Sequence, residues 1–407
     1  MADDIAHPPD LAIVTFDLSR SGVNRNALRI AAAAHAAGMV TEVWSAQDFG
    51  ELRSELPPGV GHLALGADIG GGYTRALRRE AIAAVTNTLS KVITARQPRV
   101  MLSAGNHVHP FAVDAFCASP RRDDMRLLGR VSNALRPFER SIWRLRNNLN
   151  KRLHARRRYR SMDRLIAVTD EIRRDLVRKM GVDDRRIVVI PNGIDLDLTQ
   201  SLGSAAISHP WLGVRGPPVV LGVGRLAPQK NFELLLRAFA KARASLPMRL
   251  LILGDGPADY RAFLATTARE LGIADDVCFA GAVENPFPFY RLASLFVLSS
   301  AWEGMSNVML EALASGCPVV AANCLGGSAE MLADGKYGAI VPRNDPGLLA
   351  AAMVKRLHEP RNSELLQRRA GDFDLRTSMD RYVSVLQQEL DTQPRAAPDR
   401  STWAETH

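Results

Sequence analysis

A short continuous apolar run, a glycine-rich or polar turn, then an amphipathic helical pattern: this unit recurs along nearly all of the 407-residue chain and leaves few folds open. In the first half the runs at 11–16, 41–44, 62–65, 99–103, 126–131, 165–168 and 187–190 are predicted strands, with helical patterns such as 24–37 and 171–179 between them. The runs are apolar throughout rather than alternating, as parallel strands covered on both faces require. A proline-containing stretch, 199–218, interrupts the rhythm, which then restarts. Its second series has strands at 219–223, 249–253, 277–279, 295–298, 318–321 and 339–341, and helices at 232–244, 259–271 and 308–314. Two consecutive series of this kind predict two Rossmann-like, doubly wound parallel-sheet α/β domains facing across a cleft. The expected boundaries are 1–198 for the first domain, 199–217 for a linker and 218–374 for the second domain. A late helical pattern, 379–390, is read as a crossover helix over 375–391 that packs back on the first domain, ahead of a polar, mobile tail at 392–407.

Composition narrows the function classes. Apolar residues make up 46% and charged ones 23%, which suits a globular protein with sizeable cores and excludes a collagenous or disulfide-stapled chain. No apolar run approaches the roughly 20 residues of a membrane-spanning helix, and the acidic start Met1-Ala2-Asp3-Asp4 lacks a signal segment, so a cytoplasmic protein is expected. The four cysteines form no C-x-x-C pair and are expected to be reduced and mostly buried. The net charge of +9 is local: residues 136–160 hold ten arginines and lysines against one acid, Glu139, and the remainder of the chain is neutral on balance.

The densest chemistry begins at Gly222-Val223-Gly224-Arg225-Leu226-Ala227-Pro228-Gln229-Lys230-Asn231. Its Gly222-x-Gly224-x-x-Ala227 matches a dinucleotide fingerprint, but Pro228 delays the helix and no acid stands near 242–244, which argues against nicotinamide binding. Arg225 and Lys230 flank a strand-to-helix turn at the carboxyl end of a parallel strand, where ligands bind in such sheets. Two cations there can grip a diphosphate, the arginine bidentately and the lysine as a point charge; a solvated surface pair is the plainer alternative. The second stretch runs from Glu303 through Gly304-Met305-Ser306-Asn307-Val308 to Glu311 and Gly316. Ser306 or Asn307 is a fitting N-cap and Gly316 a fitting stop. Glu303 then precedes the helix and Glu311 lies inside it, while the helix start offers unpaired N–H groups suited to phosphate.

Together these stretches resemble the retaining glycosyltransferases of family four (glycosyltransferase group 1), which have the GT-B architecture. Gly224-Arg225-Leu226-x-x-Gln229-Lys230-Asn231 and Glu303-x7-Glu311 are that family's signature elements. Pro191-Asn192-Gly193-Ile194-Asp195, Leu253-Gly254-Asp255-Gly256-Pro257 and Ala167-Val168-Thr169 support them. The resemblance implies that Arg225 and Lys230 bind the donor diphosphate, Glu303 the transferred sugar and Glu311 the nucleotide ribose. Backbone groups of Met305, Ser306, Asn307 and Val308 would cradle phosphate or sugar. It further implies work without a metal ion or other cofactor; Asp195-Leu196-Asp197, at the linker, is read as a turn rather than a metal motif. The expected donor is a UDP-linked hexose or N-acetylhexosamine, with GDP-mannose second. After the first strand the family often has two glycines. Ser21 replaces the first, so only Gly22 carries over as a donor contact. His107 is a candidate contact to sugar or acceptor, and Gly70-Gly71-Gly72 a candidate acceptor loop or plain turn.

In the basic segment Ile142, Leu145, Leu149 and Leu153 have helical spacing, which predicts packing onto the domain. Arg140, Trp143, Arg144, Lys151, Arg152, Arg156 and Arg157 would then face an anionic membrane surface, with a lipid-linked or glycan acceptor; a merely solvated basic face is the alternative. No nucleic-acid fold accompanies the run, so nucleic acid is not an expected partner. Two other functions stay open on sequence grounds: a non-catalytic basic binding protein on the same scaffold, and a sugar-nucleotide epimerase.

Overall fold

The computed structural model describes residues 8–66, 75–135 and 145–392, which form two compact units. The first takes in the described residues up to Val168, then Ile172–Ile190 and the described residues from Ser378; the second takes in Thr169–Glu171 and Pro191–Thr377.

The first unit is built on a seven-stranded sheet: β1 (Leu11–Thr15), β2 (Thr41–Ser45), β3 (Gly61–Ala64), β4 (Val100–Ser103), β5 (Arg126–Val131), β6 (Arg164–Ala167) and β7 (Ile187–Val189). Their order is β3-β2-β1-β4-β5-β6-β7, and every pairing is parallel. All five residues of β1 are buried, because helices cover the sheet on both faces and both sets of alternating side chains must be apolar. The helix Gly22–Ala36 follows β1, and Ser21 is its N-cap, its Oγ accepting the Asn24 N–H at 3.1 Å. The residue that stands where the family often has a glycine therefore closes the helix start.

The helix Leu375–Asp391 belongs largely to this first unit, as expected of a crossover helix. Its Glu389, 2% exposed, accepts from Arg126 Nε at 3.0 Å and Arg164 Nε at 2.9 Å. Arg130 on β5 is equally buried and donates to the Tyr382 hydroxyl at 2.9 Å. Buried charges persist only when partnered, so these contacts fasten the returning helix to the sheet.

The second unit carries β8 (Val219–Val223), β9 (Arg249–Leu253), β10 (Val277–Gly281), β11 (Leu295–Leu298), β12 (Val319–Asn323) and β13 (Ala339–Pro342). They are parallel in the order β10-β9-β8-β11-β12-β13. Its core is fully buried leucine, isoleucine and phenylalanine, among them Leu235, Phe239, Leu250 and Ile252. In each sheet the order reverses once, between β1 and β4 and between β8 and β11. Loops leaving the two strands at such a reversal part to opposite faces and open a crevice at the carboxyl ends.

Three local expectations are corrected. The stretch expected to be a linker begins inside a helix, Leu196–Gly203, and Asp195 is its N-cap rather than a turn residue, accepting the Leu198 N–H at 2.9 Å. The helix expected over 171–179 is α-helical over Asp170–Asp175 and π-helical over Leu176–Met180, closed by Gly181 at φ +67°. In the helix Leu145–Ser161, Leu153 is 47% exposed instead of packed. That helix docks through its last turns: Arg156 donates Nε–H to the Lys179 carbonyl at 2.9 Å, Arg160 to that of Gly181 at 3.0 Å, and Arg158 grips Asp114. Carbonyls at a helix end attract guanidinium groups. Among the described residues no helix is long and apolar enough to cross a membrane.

Candidate functional site

The site in the second unit starts from two backbones forced together. Gly254, after β9, has φ +135°, and a Cβ there would lie 2.0 Å from the Gly224 carbonyl oxygen. Only glycine allows this approach, and the Leu226 N–H then bonds the Asp255 carbonyl at 2.8 Å. The turn after β8 is thus held from one side. From the other it is joined to the loop after β11: Ala301 N–H donates to Gln229 O at 2.8 Å, Gln229 Nε2 to Trp302 O at 3.0 Å, and Ser299 Oγ to Lys230 O at 2.8 Å. Within this frame Arg225 is exposed, whereas Lys230 turns inward. Its Nζ meets Glu303 Oε1 at 2.6 Å, with side chains 17% and 9% exposed, and Ser300 Oγ donates to the same oxygen at 2.7 Å. Both bonds fall on Oε1, and the ammonium has two further protons to offer.

The Glu303 backbone is fixed in turn. Its N–H donates to Leu325 O at 2.7 Å, and Gly326, at φ +115°, lies where a Cβ would be 2.1 Å from the Glu303 carbonyl. Beyond it the chain turns through Met305 and Ser306 into the helix Asn307–Ala314. Ser306 is the N-cap by position, but its hydroxyl makes no capping bond; it is buried and has no partner among the described residues. Asn192 reaches this turn, donating Nδ2–H to Met305 O at 3.3 Å and to Asn307 Oδ1 at 2.8 Å. Val308 is half-buried in the first turn. One turn on, Glu311 Oε2 accepts from the hydroxyl of Tyr290 at 3.1 Å. Burial and the Glu311 charge hold the Tyr290 phenol well above its ordinary range, so it stays a donor.

The sequence signatures therefore meet as follows: Lys230 and Glu303 are in direct contact, Met305 and Asn307 are joined through Asn192, and Glu311 is held by Tyr290. Three of these supporting groups carried little signal. Asn192 stood in a quoted motif without a role, Ser300 lies two residues past a strand run, and Tyr290 sits in Phe287-Pro288-Phe289-Tyr290, which reads as core.

Gly22 and His107 belong to the first unit. Gly22 is the first helical residue after β1, and the loops after β1 and β4 touch, since a Cβ on Gly105 would lie 2.9 Å from Val23 Cγ1. His107 is exposed and set edge-on to Phe16, with centroids 6.0 Å apart. Two residues on, His109 is buried with Nδ1 2.7 Å from Ser103 Oγ, and burial first, then the charges of His107 and Arg130, push its pKa down to about 3. Of the basic candidates, Lys151, Arg152 and Arg157 are exposed, Arg156 is committed to Lys179 O, and Arg140, Trp143 and Arg144 lie outside the described residues, as do Gly70-Gly71-Gly72.

Comparison with known proteins identifies the family. Residues 20–198 match a family described as Glycosyltransferase Family 4, and residues 217–359 one described as Glycosyl transferases group 1. A D-inositol 3-phosphate glycosyltransferase 2 of Catenulispora acidiphila is 38% identical over 49% of this chain and 48% of its own. An N-acetylgalactosamine-N,N'-diacetylbacillosaminyl-diphospho-undecaprenol 4-alpha-N-acetylgalactosaminyltransferase of Campylobacter jejuni is 32% identical over 41% of this chain and 43% of its own. The chain thus spans about half the length of these curated relatives. Among solved structures, a sucrose-phosphate synthase of Thermosynechococcus elongatus shares the fold, with a TM-score of 0.75 at 17% identity over 93% of this chain and 98% of that one. Both sheets and the two matched regions agree: the chain belongs to the family 4, group 1 glycosyltransferases, of GT-B fold.

Proposed function

We propose that the protein moves a hexose or N-acetylhexosamine from a nucleoside diphosphate sugar to a hydroxyl acceptor, with retention of anomeric configuration. The observation that carries this reading is the Lys230–Glu303 contact at the strand reversal, immediately ahead of the uncapped helix start at Ser306. Departure of the nucleoside diphosphate leaves the anomeric carbon oxocarbenium-like and puts negative charge on the distal phosphate. Arg225 and the remaining protons of Lys230, with the amides of Met305–Val308, would meet that charge as it develops. Glu303 would hold the sugar hydroxyls, Glu311 the ribose, and Gly22 the phosphate side of the donor. The acceptor hydroxyl attacks from the face the diphosphate leaves, passing its proton to the departing phosphate; His107 would contact sugar or acceptor. No metal or cofactor is invoked, so turnover should be unchanged by a chelator.

For the acceptor we favour a lipid-linked or glycan hydroxyl at the inner face of the cytoplasmic membrane. The exposed Lys151, Arg152 and Arg157 support this, at about 1 kcal/mol per basic residue near anionic lipid. The Campylobacter relative is named for a diphospho-undecaprenol substrate, which also fits.

The deciding assay incubates the protein with UDP-glucose, UDP-N-acetylglucosamine or GDP-mannose, with and without a polyprenyl-linked saccharide. Acceptor-dependent release of nucleoside diphosphate and an α-linked product from an α-linked donor are expected. Release without acceptor, together with an altered sugar, would point instead to an epimerase. Cosedimentation with phosphatidylglycerol vesicles at low salt, but not with phosphatidylcholine vesicles, tests the membrane part.

A further inference from the structure

We propose that Asn192 is a positioning residue for the donor: its carboxamide keeps the Met305–Asn307 turn in the shape that leaves the Ser306 hydroxyl and the first amides of the helix Asn307–Ala314 uncapped within the protein. The inference rests on the reading of this helix start as part of a donor site.

A serine at an N-cap ordinarily folds its hydroxyl onto an amide of the first turn. Ser306 does not; its hydroxyl is buried and unpartnered among the described residues, an arrangement that costs stability. The next polar side chain able to turn onto those amides is that of Asn307, and its Oδ1 is engaged by Asn192 Nδ2 at 2.8 Å. The same Nδ2 donates to Met305 O at 3.3 Å, and the Asn192 backbone N–H lies 3.1 Å from Met305 Sδ. Asn192, 6% exposed, thus ties both sides of Ser306 and removes the local acceptor that competes for the helix start.

Asn192 is itself presented rigidly. Ile194 N–H donates to Phe373 O at 2.9 Å, Leu375 N–H donates to Ile194 O at 3.0 Å, and a Cβ on Gly193 would be 2.5 Å from Leu375 Cα. Two acceptors, Met305 O and Asn307 Oδ1, face one nitrogen, so the site requires an NH2 group there. An aspartate of equal size would set its oxygen against the Met305 carbonyl.

The test titrates UDP and GDP into the full chain by calorimetry, with Asn192→Asp, Asn192→Ala, Asn307→Ala and Arg225→Ala, alone and combined. Asn192→Asp and Asn192→Ala should each raise Kd about tenfold, as the loss of one or two hydrogen bonds does. Asn307→Ala in the Asn192→Ala background should add less than it does alone, whereas the exposed Arg225→Ala should add in full. A merely structural Asn192 would lower the unfolding midpoint and the binding-competent fraction while Kd stayed unchanged. That result, or full additivity with Asn307→Ala, overturns the inference. Wild-type protein that binds neither nucleotide instead removes the donor-site reading beneath it, and the inference with it.

Discussion

Lys230 and Glu303 neutralise each other where most of both side chains is hidden from water, so neither is dispensable to its partner. Lys230→Met would strand a carboxylate and should cost about 3–5 kcal/mol in urea denaturation. Adding Glu303→Gln should return most of that stability yet none of the transfer activity, a split that stability alone cannot mimic. Tyr290→Phe removes one bond to Glu311. It should weaken nucleotide binding about fivefold, near 1 kcal/mol, seen as a raised KM with kcat unchanged. At this scale Lys230 and Glu303, which the structure joins, stand in stretches that spacing singled out, but the donor roles of Arg225, Lys230, Glu303 and Glu311 came from the family resemblance, because a charged residue alone reads as surface. Ser300, Tyr290 and Asn192 were not legible, because their roles lie in what they touch: Asn192 meets Met305 across 113 residues of sequence.

Among the elements, the strands were read nearly to the residue, since runs such as Leu250-Leu251-Ile252-Leu253 admit little else between polar turns. The Leu196–Gly203 helix was missed because the prolines and glycines that follow it gave the whole stretch a linker's composition. Of the apolar stripe expected along Leu145–Ser161, Leu153 stands exposed, and the helix docks through the Arg156, Arg158 and Arg160 guanidinium groups and through Tyr159, set edge-on to His109. The start of the helix His109–Ala118 carries a pH effect. Folded His109 stays neutral down to about pH 3, whereas the unfolded residue titrates near 6.5. Between those values the unfolded chain binds a proton that the folded one refuses, so stability falls as pH drops below 6.5, by about 1.4 kcal/mol per pH unit from this group. Denaturation curves at neutral and mildly acidic pH should show that slope in the wild type and a shallower one in His109→Gln.

For the whole molecule, two parallel sheets with one strand reversal each were implied by the doubled rhythm, and that is the architecture found. The route of the chain was less legible, because the first unit closes only with residues from Ser378 onward. Each unit should therefore answer to its own perturbation in scanning calorimetry. UDP at a hundred times its Kd should stabilise the second unit by about 2.7 kcal/mol. Glu389→Ala should destabilise the first by about 2 kcal/mol, because it removes the carboxylate that Arg126 and Arg164 share while Arg126 keeps Asp163. The returning helix also sets an order of events during synthesis. Domains fold as units while the ribosome proceeds from the N-terminus, yet here the portion translated earliest waits longest. Until the codons for Tyr382 and Glu389 have been read, the bonds from Arg130 to the Tyr382 hydroxyl and from Arg126 and Arg164 to the Glu389 carboxylate cannot form. The nascent chain should therefore complete its later-made half before its earlier one.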